Sequence, residues 1–178
     1  MAQIQIALAK TLKFEGGYSN DKLDKGGETY KGISRLNFPN WSGWSIVDTV
    51  KETNPKSIDS VLKANPHMKE LVESFYKANF WDKIQGDRIS SQEVANNIFD
   101  FAVNSGVSRA SKYAQNVVGA VQDGQIGNKS IEAINAMNAV TFVKVYKRNR
   151  QNFLNKIVEN NPSQIRFLAG WTNRVNNA

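Results

Sequence analysis

A chain of 178 residues, 40% hydrophobic and 22% charged, can bury a sizeable core and is too apolar for wholesale disorder. It has no cysteine and a single histidine, His67. That excludes a disulfide framework and a thiol nucleophile, and argues against a zinc site or a Ser-His nucleophile unless His67 serves it. The net charge of +7 points to an anionic partner, with nucleic acid, an acidic membrane surface and the bacterial cell wall as candidates.

Residues 3–14 place Ile4, Ala7, Leu8, Leu12 and Phe14 near helical spacing, and Gly16-Gly17 stops that helix with Glu15 at its last turn. Residues 16–57 are glycine-dense and hold two of the four prolines, so they are expected to be mainly loop, with "TYKGIS" the best strand or hairpin candidate. From residue 57 the chain reads as helices. "SIDSVLK" is a short one, and "PHMKELVESFYKANF" begins on a proline suited to the first helical position. "SSQEVANNIFDFAVNSG" opens on a Ser90…Glu93 capping box and closes on Gly106, followed by "SRASKYAQNVVGAV" and the loop "QDGQIGN". "KSIEAINAM" precedes a long helix over 138–159, whose expected buried stripe is Ala139, Phe142, Val143, Tyr146, Phe153 and Ile157. A last helix spans 162–175. The expected fold class is mainly α, with a loop-rich first part over 1–89 and a helical second part over 90–178, packed as one compact unit. No stretch approaches the roughly 20 apolar residues that span a membrane, and residues 1–17 show no uninterrupted apolar run of the signal-peptide kind.

The stretch "FEGGYSND" carries the chemistry. A helix end disfavours a carboxylate, and apolar neighbours such as Phe14 and Tyr18 disfavour its charged form. A carboxyl group that keeps its proton is what a glycoside hydrolase needs as general acid, and flanking glycines let a sugar approach. A second carboxylate completes such chemistry. Asp24 and Asp21 lie downstream on a loop able to fold back, and Thr29 could orient a water. From the residues alone, helix termination is the simpler reading of Glu15.

"EGGYSND" followed by "DKGGETYKGIS" resembles the signature of glycoside hydrolase family 108: a glutamate, two glycines and a tyrosine, then an Asp-x-Gly-Gly-x-Thr stretch ending Gly-Ile. "FYKANFWDKIQGD" is similar to that family's Tyr-x-x-Tyr-Trp element. "VANNIFDFAVNSG", "VQDGQIGNKSIEAI" and "FLAGWTNRV" resemble the segment called peptidoglycan-binding domain 3 and the closing helix. The likeness spans residues 5–175. It implies a lysozyme-like fold and an N-acetylmuramidase of the phage endolysin type, cleaving the β-1,4 bond between N-acetylmuramic acid and N-acetylglucosamine in peptidoglycan. It maps the catalytic acid onto Glu15, the aspartate onto Asp24 and the threonine onto Thr29. Lys25 and Glu28 depart from the pattern, and Glu28 adds a carboxylate.

Tyr18 and Tyr30 are candidate substrate contacts. So is the stripe Asn97, Asp100, Asn104, three and four residues apart on one face of an otherwise apolar helix; such a stripe meets either polar partners or a wet cleft. Asp100 is the reserve second carboxylate. Trp41 and Trp44 are expected at a cleft edge, Trp81 and Trp171 in the core. No cofactor is implied, and "DGQIG" lacks the later oxygen ligands of a calcium loop, so no metal is expected. The expected partner is bacterial peptidoglycan and not nucleic acid, since the basic residues are scattered without a recognition motif. The expected state is a monomer, made in the cytoplasm without a signal peptide and acting on the wall after holin-type or other release. The competing readings are a wall-binding or secretion-accessory module that lost the chemistry, and a lytic transglycosylase, which also uses a single glutamate.

Overall fold

The computed structural model describes residues 1–20 and 27–178, and within them the protein is mainly α, as expected. By their contacts these residues form two units, one of residues 12–77 and one of residues 1–11 with 78–178. The division expected near residue 89 falls inside the second of these.

In the 12–77 unit a small antiparallel sheet has the order β1 (Tyr18–Ser19), β2 (Thr29–Tyr30) and β3 (Ile33–Ser34). "TYKGIS" is the β2–β3 hairpin: Tyr30 pairs with Ile33 across the two-residue loop Lys31-Gly32. Both loop residues have positive φ, +50° and +79°, the arrangement of a type I′ turn whose twist matches that of the flanking strands. Three helices follow, α2 (Gly43–Thr53), α3 (Ile58–Ala64) and α4 (Pro66–Tyr76). Helix α4 starts as the sequence predicts, with Pro66 in the first turn and the Asn65 side chain capping Met68 N at 3.0 Å.

Helix α2 was not expected. Trp44, Val47 and Val50 are buried along one side of it, but the turn-rich "FPNWSGWS" just before conceals that period. Its start is shaped by aromatic packing. Trp41 meets Trp44 edge-to-face at 5.1 Å and Phe75 at 6.2 Å, while Phe38 meets Phe75 at 4.7 Å. A side chain on Gly43 would collide with the Trp41 ring at 2.3 Å. Trp44 is 3% exposed and donates its Nε1–H to the Phe38 carbonyl at 2.8 Å, so it is core and not a cleft edge.

In the other unit α1 (Ile4–Thr11) packs with α5 (Gln92–Ser105), which also meets α6 (Val107–Val117) and α8 (Ala139–Asn160). Helix α5 buries Val94, Ala95, Ile98, Phe99, Phe101 and Ala102, the all-round burial its composition implies. Its cap is Ser91, accepting from Val94 N, one residue later than the expected Ser90 box; it closes on Gly106 at φ +92°. Helices α7 (Asn128–Ala136) and α9 (Ile165–Asn177) complete the unit. Trp81 is fully buried, as expected, and its Nε1–H donates to Asp87 at 2.7 Å. Trp171 is only half-buried, and Val175 is the buried position of α9. Arg150 on α8 lies where the periodicity predicts an apolar side chain. None of the described helices is long and apolar enough to cross a membrane.

Candidate active site

Helix α1 ends at Thr11, so Glu15 sits in a bend four residues beyond it and not on its last turn. The helix-end field therefore acts on Glu15 less than the sequence suggests, since that effect fades beyond the terminal turn. The carboxyl lies close against the β2–β3 turn. A Cβ placed on Gly32 would lie 2.6 Å from Glu15 Oε2, 3.1 Å from its Cδ and 2.9 Å from Tyr76 Oη. Only a residue without a side chain lets the carboxyl rest there, and only glycine adopts φ +79° without strain. Tyr76 also holds the turn, donating its hydroxyl to the Lys31 carbonyl at 2.6 Å.

The two glycines after Glu15 have different jobs. Gly16 faces open space: an added Cβ meets no described atom within 4 Å, which fits the expected approach of a substrate. Gly17 does not. A Cβ there would fall 2.0 Å from Asp59 Oδ1, the oxygen that accepts from Tyr18 N at 3.0 Å. Asp59 in turn pairs with Lys63 at 2.5 Å, and this bond chiefly holds its carboxyl below the usual aspartate range, against burial, with the Tyr18 amide assisting. Gly17 thus admits a carboxylate brace from α3, and not a sugar.

Tyr18 donates its hydroxyl to Glu28 Oε1 at 2.8 Å. Lys51 reaches the same oxygen at 2.7 Å, and Arg35 bonds Glu28 Oε2 at 2.7 Å while gripping Asp48 through both terminal nitrogens. Burial pushes Glu28 upward, but the bonds from Lys51, Arg35 and Tyr18 together outweigh it and hold its carboxyl low. The extra carboxylate in the motif is therefore committed to tying β2 to α2. Tyr18 itself is raised by burial and then by Glu28. Tyr30, expected as a sugar contact, is 2% exposed and stacks on Trp41 at 6.5 Å; burial and then Asp59 push it up to about 12. It belongs to the core. Thr29 lies on β2 between Ser19 and Ser34, half-exposed. Asp24 and Asp21 lie outside the described residues.

The stripe on α5 finds polar partners in the interior. Asp100 is 1% exposed and accepts from Arg150 at 2.7 Å and Arg174 at 2.9 Å. Asn97, fully buried, donates to the carbonyls of Glu93 and Ala178. Neither presents a surface to a sugar, and a carboxylate clamped by two guanidiniums is not available as a base. Asn104 is exposed and accepts from the Ser105 hydroxyl.

Residues 8–106, more than half of the chain, match the family model described as glycosyl hydrolase 108. The chain belongs to the glycosyl hydrolase 108 family. Residues 109–176 match a second model, described as a predicted peptidoglycan domain. The chain is thus a peptidoglycan-acting glycoside hydrolase. The solved structure of Brucella abortus SagA is similar over 97% of this chain and 88% of that one, with 29% identity and a TM-score of 0.66. Among curated proteins none matches.

Glu15, Gly32, Tyr76, Asp59 and Glu28 all lie in the span of the glycosyl hydrolase 108 match. Three of them escaped the sequence. Asp59 sits in the first turn of α3, where an acid is explained by the helix terminus alone. Gly32 was read only as part of a strand candidate, although Lys-Gly between Tyr30 and Ile33 is a hairpin-loop signal. Tyr76 gives no local sign, since its partner, Lys31, is 45 residues away.

Proposed function

We infer that this chain hydrolyses the β-1,4 bond between N-acetylmuramic acid and N-acetylglucosamine, with Glu15 as the general acid that protonates the leaving oxygen. The observation that carries this reading is the seat of the Glu15 carboxyl against Gly32, next to Gly16, where an added side chain would meet no described atom within 4 Å. A proton donor must be held in a fixed place while the substrate side stays clear. Asp24 is our candidate for the second carboxylate, activating water or stabilising the oxocarbenium charge, and Thr29 for orienting that water. The net charge of +7 favours association with an anionic polymer, consistent with action on the wall.

Mass spectrometry of the products from purified peptidoglycan tests the bond. Reducing N-acetylmuramic acid ends are expected. Reducing N-acetylglucosamine ends would move the cleavage to the other linkage, and an anhydro-sugar would make the enzyme a lytic transglycosylase. Asp24→Asn should lower turnover about 10²-fold or more, and an unchanged rate would remove Asp24 from the mechanism.

A further inference from the structure

On α8, Asn149, Asn152, Phe153 and Lys156 follow the spacing i, i+3, i+4, i+7. That spacing makes one helical face, and between packed helices such a face is normally apolar. Here half of it is amide, with one cation. Together with Tyr113 and Asn116 on α6 and Gln122 in the loop after it, the face lines an open groove of about 300 Å³. All of these residues fall within the span matching the peptidoglycan domain model.

The groove is built in advance. Tyr113 and Phe153 meet at 6.2 Å and both touch Phe101, so the aromatic floor is anchored in the core. Asn149 donates its amide to Asn116 Oδ1 at 3.2 Å, which fixes both side chains. Gln122 is set by its loop, held by the buried Gln115, which bonds Asp123, the Gln125 carbonyl and Gly124 N. The charge at the groove is cationic: Lys156 lines it, and the Arg109 guanidinium lies 4.6 Å over the Phe153 ring.

Each part has a chemical counterpart. Side-chain amides both donate and accept, matching an N-acetyl group and sugar hydroxyls. An aromatic floor takes the apolar face of a pyranose ring. A single ammonium at the edge calls for a carboxylate, which a neutral sugar lacks. We propose that the α6–α8 groove is a saccharide subsite for an N-acetylated amino sugar carrying a carboxylate, the chemistry of the N-acetylmuramyl unit. This rests on the peptidoglycan reading above and adds where, outside the glutamate site, the polymer is held.

The test is an amide NMR titration of the full chain with N-acetylmuramic acid, which has no glycosidic bond to cleave and keeps its lactyl carboxylate free, and in parallel with N-acetylglucosamine. Shifts are expected at Asn116, Gln122, Asn149 and Asn152, including their side-chain amides. Lys156→Ala, at an exposed position, should weaken N-acetylmuramic acid up to about fivefold, the scale of one exposed ion pair, and leave N-acetylglucosamine unaffected. Asn152→Ala should weaken both. Shifts absent from the groove, or an affinity indifferent to both substitutions, would overturn the proposal. Because the ligand is not hydrolysed, that failure would leave the assignment of Glu15 standing, and loss of catalysis in a Glu15 variant would leave this binding intact.

Discussion

Gly32→Ala separates the seat of the Glu15 carboxyl from the stability of the fold. The added methyl falls 2.6 Å from Glu15 Oε2, which is 0.8 Å short of ordinary contact at 3.4 Å, so the carboxyl must move by that order. Misplacing a catalytic group by about 1 Å can cost roughly 10²-fold in rate, so kcat for release of reducing ends from peptidoglycan should fall between about tenfold and a hundredfold. The left-handed backbone adds about 1–2 kcal/mol of strain, or roughly 5 °C in Tm for a chain of this size. Gly119→Ala is the control. Its φ is +69° and its methyl would meet no described atom within 4 Å, so it should lose similar stability with no loss of kcat. If Gly32→Ala kept near wild-type kcat while its Tm fell like that of Gly119→Ala, the turn would not be what places the acid.

Three further outcomes follow from the same contacts. Glu28, Asp48 and Asp59 are held below their ordinary values of 4.5, 3.8 and 3.8, so the unfolded chain takes up protons first as pH falls. Their contribution is complete above those values and is lost as pH drops through the lower folded ones; thermal melts should show a falling Tm there, and Glu28→Gln should flatten that slope. Asp100→Asn leaves Arg150 buried without its carboxylate and should cost about 3–5 kcal/mol by denaturant unfolding, yet turnover per folded molecule should not change; a specific loss of kcat would return Asp100 to the catalytic site. Gly17→Ala drives a methyl into Asp59, so Gly17→Ala with Asp59→Ala should be less destabilised than the sum of the single variants, and strict additivity in that cycle would remove the brace.

What the sequence made legible were features with a local period or a local motif. The hairpin at "TYKGIS" is written in strand residues around Lys-Gly, and the burial of α5 in its apolar residues on nearly every face. The acid motif was visible because Glu15 and its glycines are neighbours in the chain. What was not legible depends on partners far along it. Asp100 read as a spare carboxylate because Arg150 and Arg174 lie 50 and 74 residues away. Asp59 drew no notice because Tyr18 N, the group it holds, is 41 residues distant. Glu28 read as surplus for the same reason: Lys51 is 23 residues on. Helix α2 shows the remaining kind of miss, a real apolar period hidden by the turn-forming residues that precede it.

The most direct measurement of the central claim is the rate of reducing-end release by Glu15→Gln, whose amide keeps the shape of the carboxyl but cannot give up a proton as an acid. Turnover should fall by about 10²–10⁴-fold while the thermal melt stays that of the wild type. An active, equally stable Glu15→Gln protein would place the proton donor elsewhere.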